Sequence, residues 1–216
     1  MKKIATGIAG LDEFLKGGLP PQVLLLVGPP GCGSEVFARQ IAYSRAKQNG
    51  VTYFTVDKNP ESVMDDISIF RWNVLPLQQK GRWKFISPND TDGLETSVKQ
   101  EMKKGRCLVI DSLSEFLLSH NVEEAINLYN LISTQNRECQ NLHFILLTEG
   151  MQNPKVETTM QHFAEGVIIF ATRWEAATLF RNMLIKKIKG VHMPSRRFRY
   201  SIGKRGFILE TAIRIT

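Results

Sequence analysis

Five apolar residues, Val23 to Val27, run straight into Gly28-Pro29-Pro30-Gly31-Cys32-Gly33-Ser34-Glu35. An apolar run with no polar interruption reads as a strand buried on both faces. The stretch after the glycines predicts a helix over 34–48 with Val36, Phe37, Gln40, Ile41 and Ser44 inward, Ser34 as its N-cap and Asn49-Gly50 as its stop. Strand, glycine-rich turn and helix in that order restrict the fold to an α/β layer architecture. The spacing is that of a phosphate-cradling loop: glycine, four residues, glycine, then lysine and a hydroxyl residue. Gly28, Gly31 and Gly33 keep that frame, but Ser34 stands in the lysine position and Glu35 in the position of the Mg²⁺-binding hydroxyl.

A chain of 216 residues is enough for one buried core, and a single domain spanning 1–216 is expected. The longest apolar run is far too short to cross a bilayer, and the first residues lack the apolar stretch of a secretion signal. Cys32, Cys107 and Cys139 show no disulfide or metal-ligand spacing, which points to a reducing cytoplasm. Charge is uneven. Between Arg173 and Arg205 stand ten Lys/Arg and one acid, Glu175, although the whole chain is only +7. A basic block of this kind suits phosphate, nucleic acid or an acidic partner, and equally a solvated hairpin with no ligand.

Further along, strands are expected at 51–57, 83–87, 106–111 and 142–148, with helices at 60–72, 92–104 and 122–140 between them. Alternation of this sort implies a parallel sheet flanked by helices. The polar stretch 150–163 reads as a mobile loop. Residues 167–174 and 177–187 read as a hairpin turning at Glu175-Ala176, followed by two short strands around Gly203.

Four passages in this order resemble the RecA-type ATPase superfamily, in its KaiC/RadA-like branch common in archaea. They are Thr6 to Glu13 with Gly17-Gly18-Leu19-Pro20, the loop Gly28 to Glu35, Leu108 to Ser114, and Lys187-Ile188-Lys189-Gly190. The resemblance implies a RecA-like P-loop core: a mostly parallel twisted sheet, flanking helices and a C-terminal antiparallel hairpin. It implies that residues 28–35 (Gly28, Pro29, Pro30, Gly31, Cys32, Gly33, Ser34 and Glu35) meet ATP or ADP, and that Asp111 holds Mg²⁺ through water. Lys187 and Lys189 match cations that reach a neighbouring subunit's nucleotide, which brings in a homo-oligomer. The family's catalytic Glu-Glu pair falls here on Asp57-Lys58, leaving Asp57 as the candidate base.

Simple chemistry weighs on those expectations. The backbone path of the loop can still offer N–H groups to an anion. Loss of the lysine removes a charged hydrogen bond worth about 1.5–3 kcal/mol. A carboxylate about 4 Å from a phosphate adds a penalty on the order of 4 kcal/mol at an effective dielectric near 20. Together they amount to roughly four powers of ten in affinity. Glu35 also suits the positive end of its own helix, where it would close the loop in place of a phosphate. Asp111 has a structural alternative too, capping its strand end by bonding to Ser34 or Ser112. Lys187 and Lys189, two residues apart, equally share one solvated strand face.

The expected activity is therefore that of a degenerate ATPase, binding ATP/ADP and Mg²⁺ weakly or not at all and acting as a regulator or scaffold through protein partners. Two alternatives stand beside it. One is an active ATPase whose missing lysine is replaced by Lys58 or Lys187; the other is a recombination accessory protein that binds single-stranded DNA through segment 173–205.

Overall fold

The computed structural model describes residues 2–56, 58–87, 91–190 and 197–210, with side chains 91 and 92 excepted. Asp57, the candidate base, and the 191–196 part of the basic segment lie outside the described residues. After the short helix α1 (Ala9–Phe14) come β1 (Gln22–Gly28), α2 (Ser34–Ala46), β2 (Val51–Thr55), α3 (Pro60–Ser68), α4 (Leu75–Gln79) and β3 (Trp83–Ile86). The chain continues through α5 (Thr91–Lys103), β4 (Cys107–Asp111), α6 (Leu113–Ser119), α7 (Val122–Cys139) and β5 (Leu142–Thr148). It closes with α8 (Pro154–Phe163), β6 (Gly166–Glu175), β7 (Thr178–Ile188), β8 (Arg197–Gly203) and β9 (Gly206–Leu209).

One sheet runs through the molecule in the order β3-β2-β4-β5-β1-β6-β7-β8-β9. It is parallel from β3 to β6 and antiparallel from β7 onward. The expected α/β architecture with a C-terminal antiparallel extension is therefore what the chain adopts. The first strand of the hairpin, β6, pairs parallel with β1 and so is a sixth parallel strand.

The apolar run of β1 explains why it lies inside. Leu24 and Leu26 enter one core with α2, while Val23, Leu25 and Val27 enter another with α7. Successive strand side chains point to opposite faces, so a strand covered on both sides must be apolar throughout.

Two local expectations are corrected. Residues 150–163 are largely helical: Asn153 accepts from Val156 N–H at 3.0 Å, Pro154 opens α8, and Met160 is buried against α7's core. Asparagine followed by proline is a helix start, but four polar residues at 157–159 and 161 hide the narrow apolar stripe. Ser34 does not cap α2 either. The N-cap is Gly33, with φ 93°, and Ser34 is the first helical residue. Among the described residues no helix is long and apolar enough to cross a membrane.

Candidate functional site

The C-terminal ends of β1, β2, β4 and β5 open onto one cleft of about 370 Å³, lined among others by Gly31, Glu35, Arg39, Lys58, Asp111 and Thr148. Clefts at these strand ends are where open α/β sheets place ligands. Register aligns Gly28 with Thr148 and Thr55 with Asp111, which brings residues 120 and 56 apart in sequence to one edge.

The loop 28–35 is held from outside by the C-terminal strands. A Cβ on Gly33 would lie 2.2 Å from Ile202 Cδ1, and one on Gly28 would lie 2.7 Å from Cys32 Sγ and 2.9 Å from Phe170. Tyr200 Oη donates to the Cys32 carbonyl at 2.6 Å. Burial pushes the Tyr200 hydroxyl well above its ordinary pKa, so it stays a donor. The glycine frame thus serves packing against β8 within the chain as well as the path of a phosphate loop. Cys32 is buried, and burial raises its thiol pKa, which suits a space-filling residue rather than a reactive one.

Glu35 does not close the loop. It lies half-buried on the cleft wall, and among the described residues no hydrogen bond or ion pair reaches its carboxylate. The expectation that it stands in for a phosphate on the loop N–H groups is not met.

Asp111 is the most heavily engaged acid of the cleft. Its side chain is 1% exposed and each oxygen is taken. Oδ1 accepts from Lys58 Nζ at 2.9 Å; Oδ2 accepts from Tyr53 Oη at 2.6 Å and from Arg39 Nη2 at 3.3 Å. Neither Ser34 nor Ser112 is its partner. Ser112 Oγ instead accepts from Glu115 N–H at 3.3 Å and caps α6. Arg39 also donates to Tyr53 Oη at 3.0 Å and to Asp66 Oδ2 at 3.1 Å. Burial first, and the Asp111 charge second, push the Tyr53 hydroxyl well above its ordinary pKa. A buried carboxylate satisfied by two cations and a hydroxyl is electrostatically complete.

Arg39 and Tyr53 were not singled out in the sequence. A signal existed for Arg39. It stands four residues after Glu35 on α2, hence on the face that carries the loop. Tyr53 gave none beyond its place in an apolar strand.

Lys187 and Lys189 lie elsewhere. Ile188 is level with Gly166, and Gly166 with Leu24, about 13 Å along β1 from Gly28 at roughly 3.3 Å per residue. Within this chain they do not join the cleft. Lys187 Nζ donates to the His162 carbonyl at 3.0 Å, and Lys189 Nζ meets Glu165 Oε1 at 2.5 Å.

The comparisons with known proteins agree with this architecture. Over residues 4–212 the chain matches the family model described as the KaiC ATPase. A UPF0273 protein of Thermotoga maritima is 23% identical over 97% of this chain and 96% of its own length. One of Pyrococcus horikoshii is 25% identical over 96% and 94%. The solved structure of a KaiC-like protein from Pyrococcus horikoshii OT3 superimposes with a TM-score of 0.83 at 21% identity, covering 97% of this chain and 99% of that one. By family match, strand order and loop position together, the chain belongs to the KaiC-like ATPases of the RecA superfamily.

Proposed function

We propose that this KaiC-like chain does not hydrolyse ATP and works as a regulatory or scaffold protein through protein partners. The observation that carries the reading is the closure of Asp111 by Lys58, Arg39 and Tyr53. Members of this family generally bind ATP and Mg²⁺, and the side chains of this cleft do not fit the metal. The loop offers a carboxylate, Glu35, where a hydroxyl would bind it, and each oxygen of the strand-end carboxylate already accepts from a protein donor. Among the described residues no three His, Cys, Asp or Glu side chains gather to hold a metal ion. Lys58 therefore has two effects. It replaces the second acid of the hydrolytic pair, and its ammonium takes the place that a cation would occupy beside Asp111. The loop backbone is retained, which leaves weak, metal-independent contact with ATP or ADP compatible with the reading.

Calorimetric titration of Mg·ATP, with a phosphate-release assay, tests this. Wild type is expected to show no turnover above background. Ser34→Lys with Glu35→Thr should restore little, because Asp111 stays blocked; adding Lys58→Glu should recover Mg²⁺-dependent binding. Multi-turnover hydrolysis by the wild type that vanishes on Asp111→Asn would overturn the proposal.

A further inference from the structure

At the end of the sheet opposite the loop, where β1 begins and α7 ends, lies a second pocket of about 330 Å³. Lys2, Arg137 and Lys189 stand on its wall against a single acid, Glu165. Lys189 is already matched by Glu165 at 2.5 Å, and Lys2 donates to the Gln140 carbonyl at 3.3 Å. Arg137 is exposed, and among the described residues nothing accepts from its guanidinium.

Gln22 lines the same pocket and is 2% exposed. Its Oε1 accepts from the Lys189 N–H at 3.3 Å. That bond fixes which amide atom is oxygen, because an NH₂ group cannot accept from an N–H. The remaining atom, Nε2, is buried and has no partner. A buried donor left unsatisfied costs about 1–3 kcal/mol and is uncommon in folded chains.

The charge of the two cavities separates them. The loop cleft carries Glu35, Asp66, Asp111 and Glu115 against Arg39 and Lys58, an excess of acids. The second pocket carries an excess of cations, an unengaged guanidinium and an orphan amide. A guanidinium suits a planar or tetrahedral oxyanion better than a neutral acceptor.

We propose that this pocket binds a small oxyanion, a carboxylate or a phosphate group, with Arg137 supplying the charge and the Gln22 amide a hydrogen bond at the floor. The site is separate from the loop cleft and does not depend on whether that cleft takes nucleotide.

The test titrates the full chain with sodium phosphate and, separately, sodium succinate at fixed ionic strength, reading amide chemical shifts by NMR with chloride as the control. Saturable binding is expected to weaken about tenfold or more in Arg137→Gln, in keeping with loss of a charged hydrogen bond. It should weaken severalfold in Gln22→Met, and change less than about twofold in Lys58→Met, which alters only the opposite end of the sheet. A response to one anion and not the other identifies the group bound, and either supports the site. Because Arg137 is exposed, its variant tests the site even if Gln22→Met fails to fold. No saturable response to either anion, or one that survives Arg137→Gln and disappears in Lys58→Met, overturns the proposal.

Discussion

Asp111 and Glu101 are two carboxylates that the fold treats alike in burial and differently in place. Each side chain is 1% exposed and each is ringed by cations. Glu101, on α5, accepts from Thr52 Oγ1 at 3.0 Å and faces Lys84 at 3.1 Å, Lys104 at 2.9 Å and Arg106 at 3.2 Å. It sits at the N-terminal end of β2, while Asp111 ends β4 on the side of the loop. The partners differ as well. Lys84 and Lys104 have about half their side-chain surface in water, whereas Arg39 is buried almost entirely. The same local device, a buried acid satisfied by bases, is structural at one end of the sheet. At the other it lines the cleft at the strand ends beside the loop. Burial and pairing do not by themselves mark a site; what marks it is the cleft and the strand ends around it.

The comparison is broken most directly by removing each acid. Asp111→Ala leaves the buried Arg39 with Asp66 as its counter-charge and Tyr53 as a neutral acceptor, and should cost about 3–5 kcal/mol in urea denaturation, the range for breaking a buried ion pair. Glu101→Gln leaves cations that can turn to solvent and should cost less, about 1–3 kcal/mol. The reverse order would mean that Arg39 relaxes more freely than its burial implies.

Acid sharpens the difference. Burial works to raise the pKa of Glu101, but Lys104, Lys84 and Thr52 outweigh it and hold the value down to about 2. A depressed carboxylate contributes stability that is fully present above its unfolded pKa, near 4.5, and is lost as pH falls through the folded value. The stability gap between wild type and Glu101→Gln should therefore narrow between about pH 5 and pH 2, by no more than ~1.4 kcal/mol per pH unit. A gap that stays constant over that window would show that Lys104, Lys84 and Thr52 do not act on Glu101 in solution.

Lys58→Met should move stability least, within about 1 kcal/mol, because its side chain is 43% exposed and the pair is partly screened. A loss approaching that of Asp111→Ala would mean that Lys58, rather than Arg39, is what keeps Asp111 folded in.

Much of the fold was legible beforehand because its elements carry period and punctuation. Val23 to Val27 is apolar on both faces, Asn59-Pro60 and Asn121 open helices, and Glu175-Ala176 sits at the hairpin turn. Helix α8 escaped because one side of it faces water and only a narrow stripe is buried. At the cleft, the substitutions at Ser34, Glu35 and Lys58 could be read directly, but their partners could not. Glu35, read as closing its own loop, bonds to nothing described, and Asp111, read as a Mg²⁺ holder or else a strand end bonded to Ser34 or Ser112, meets Arg39, Tyr53 and Lys58.

What the sequence determined alone is the family frame: the glycine spacing, the order of strands and helices, and the absence of a lysine and a hydroxyl at positions 34 and 35. Those follow from local sterics and periodicity, which act over a few residues. Only the tertiary structure decided what surrounds Asp111. Residues 39, 53, 58 and 111 come from a helix, a strand, the segment just beyond that strand and a neighbouring strand end, and meet because β2 and β4 pair in register beneath α2. Long-range electrostatic satisfaction has no signature along the chain, since it depends on which buried groups the folded core forces to share one oxygen pair.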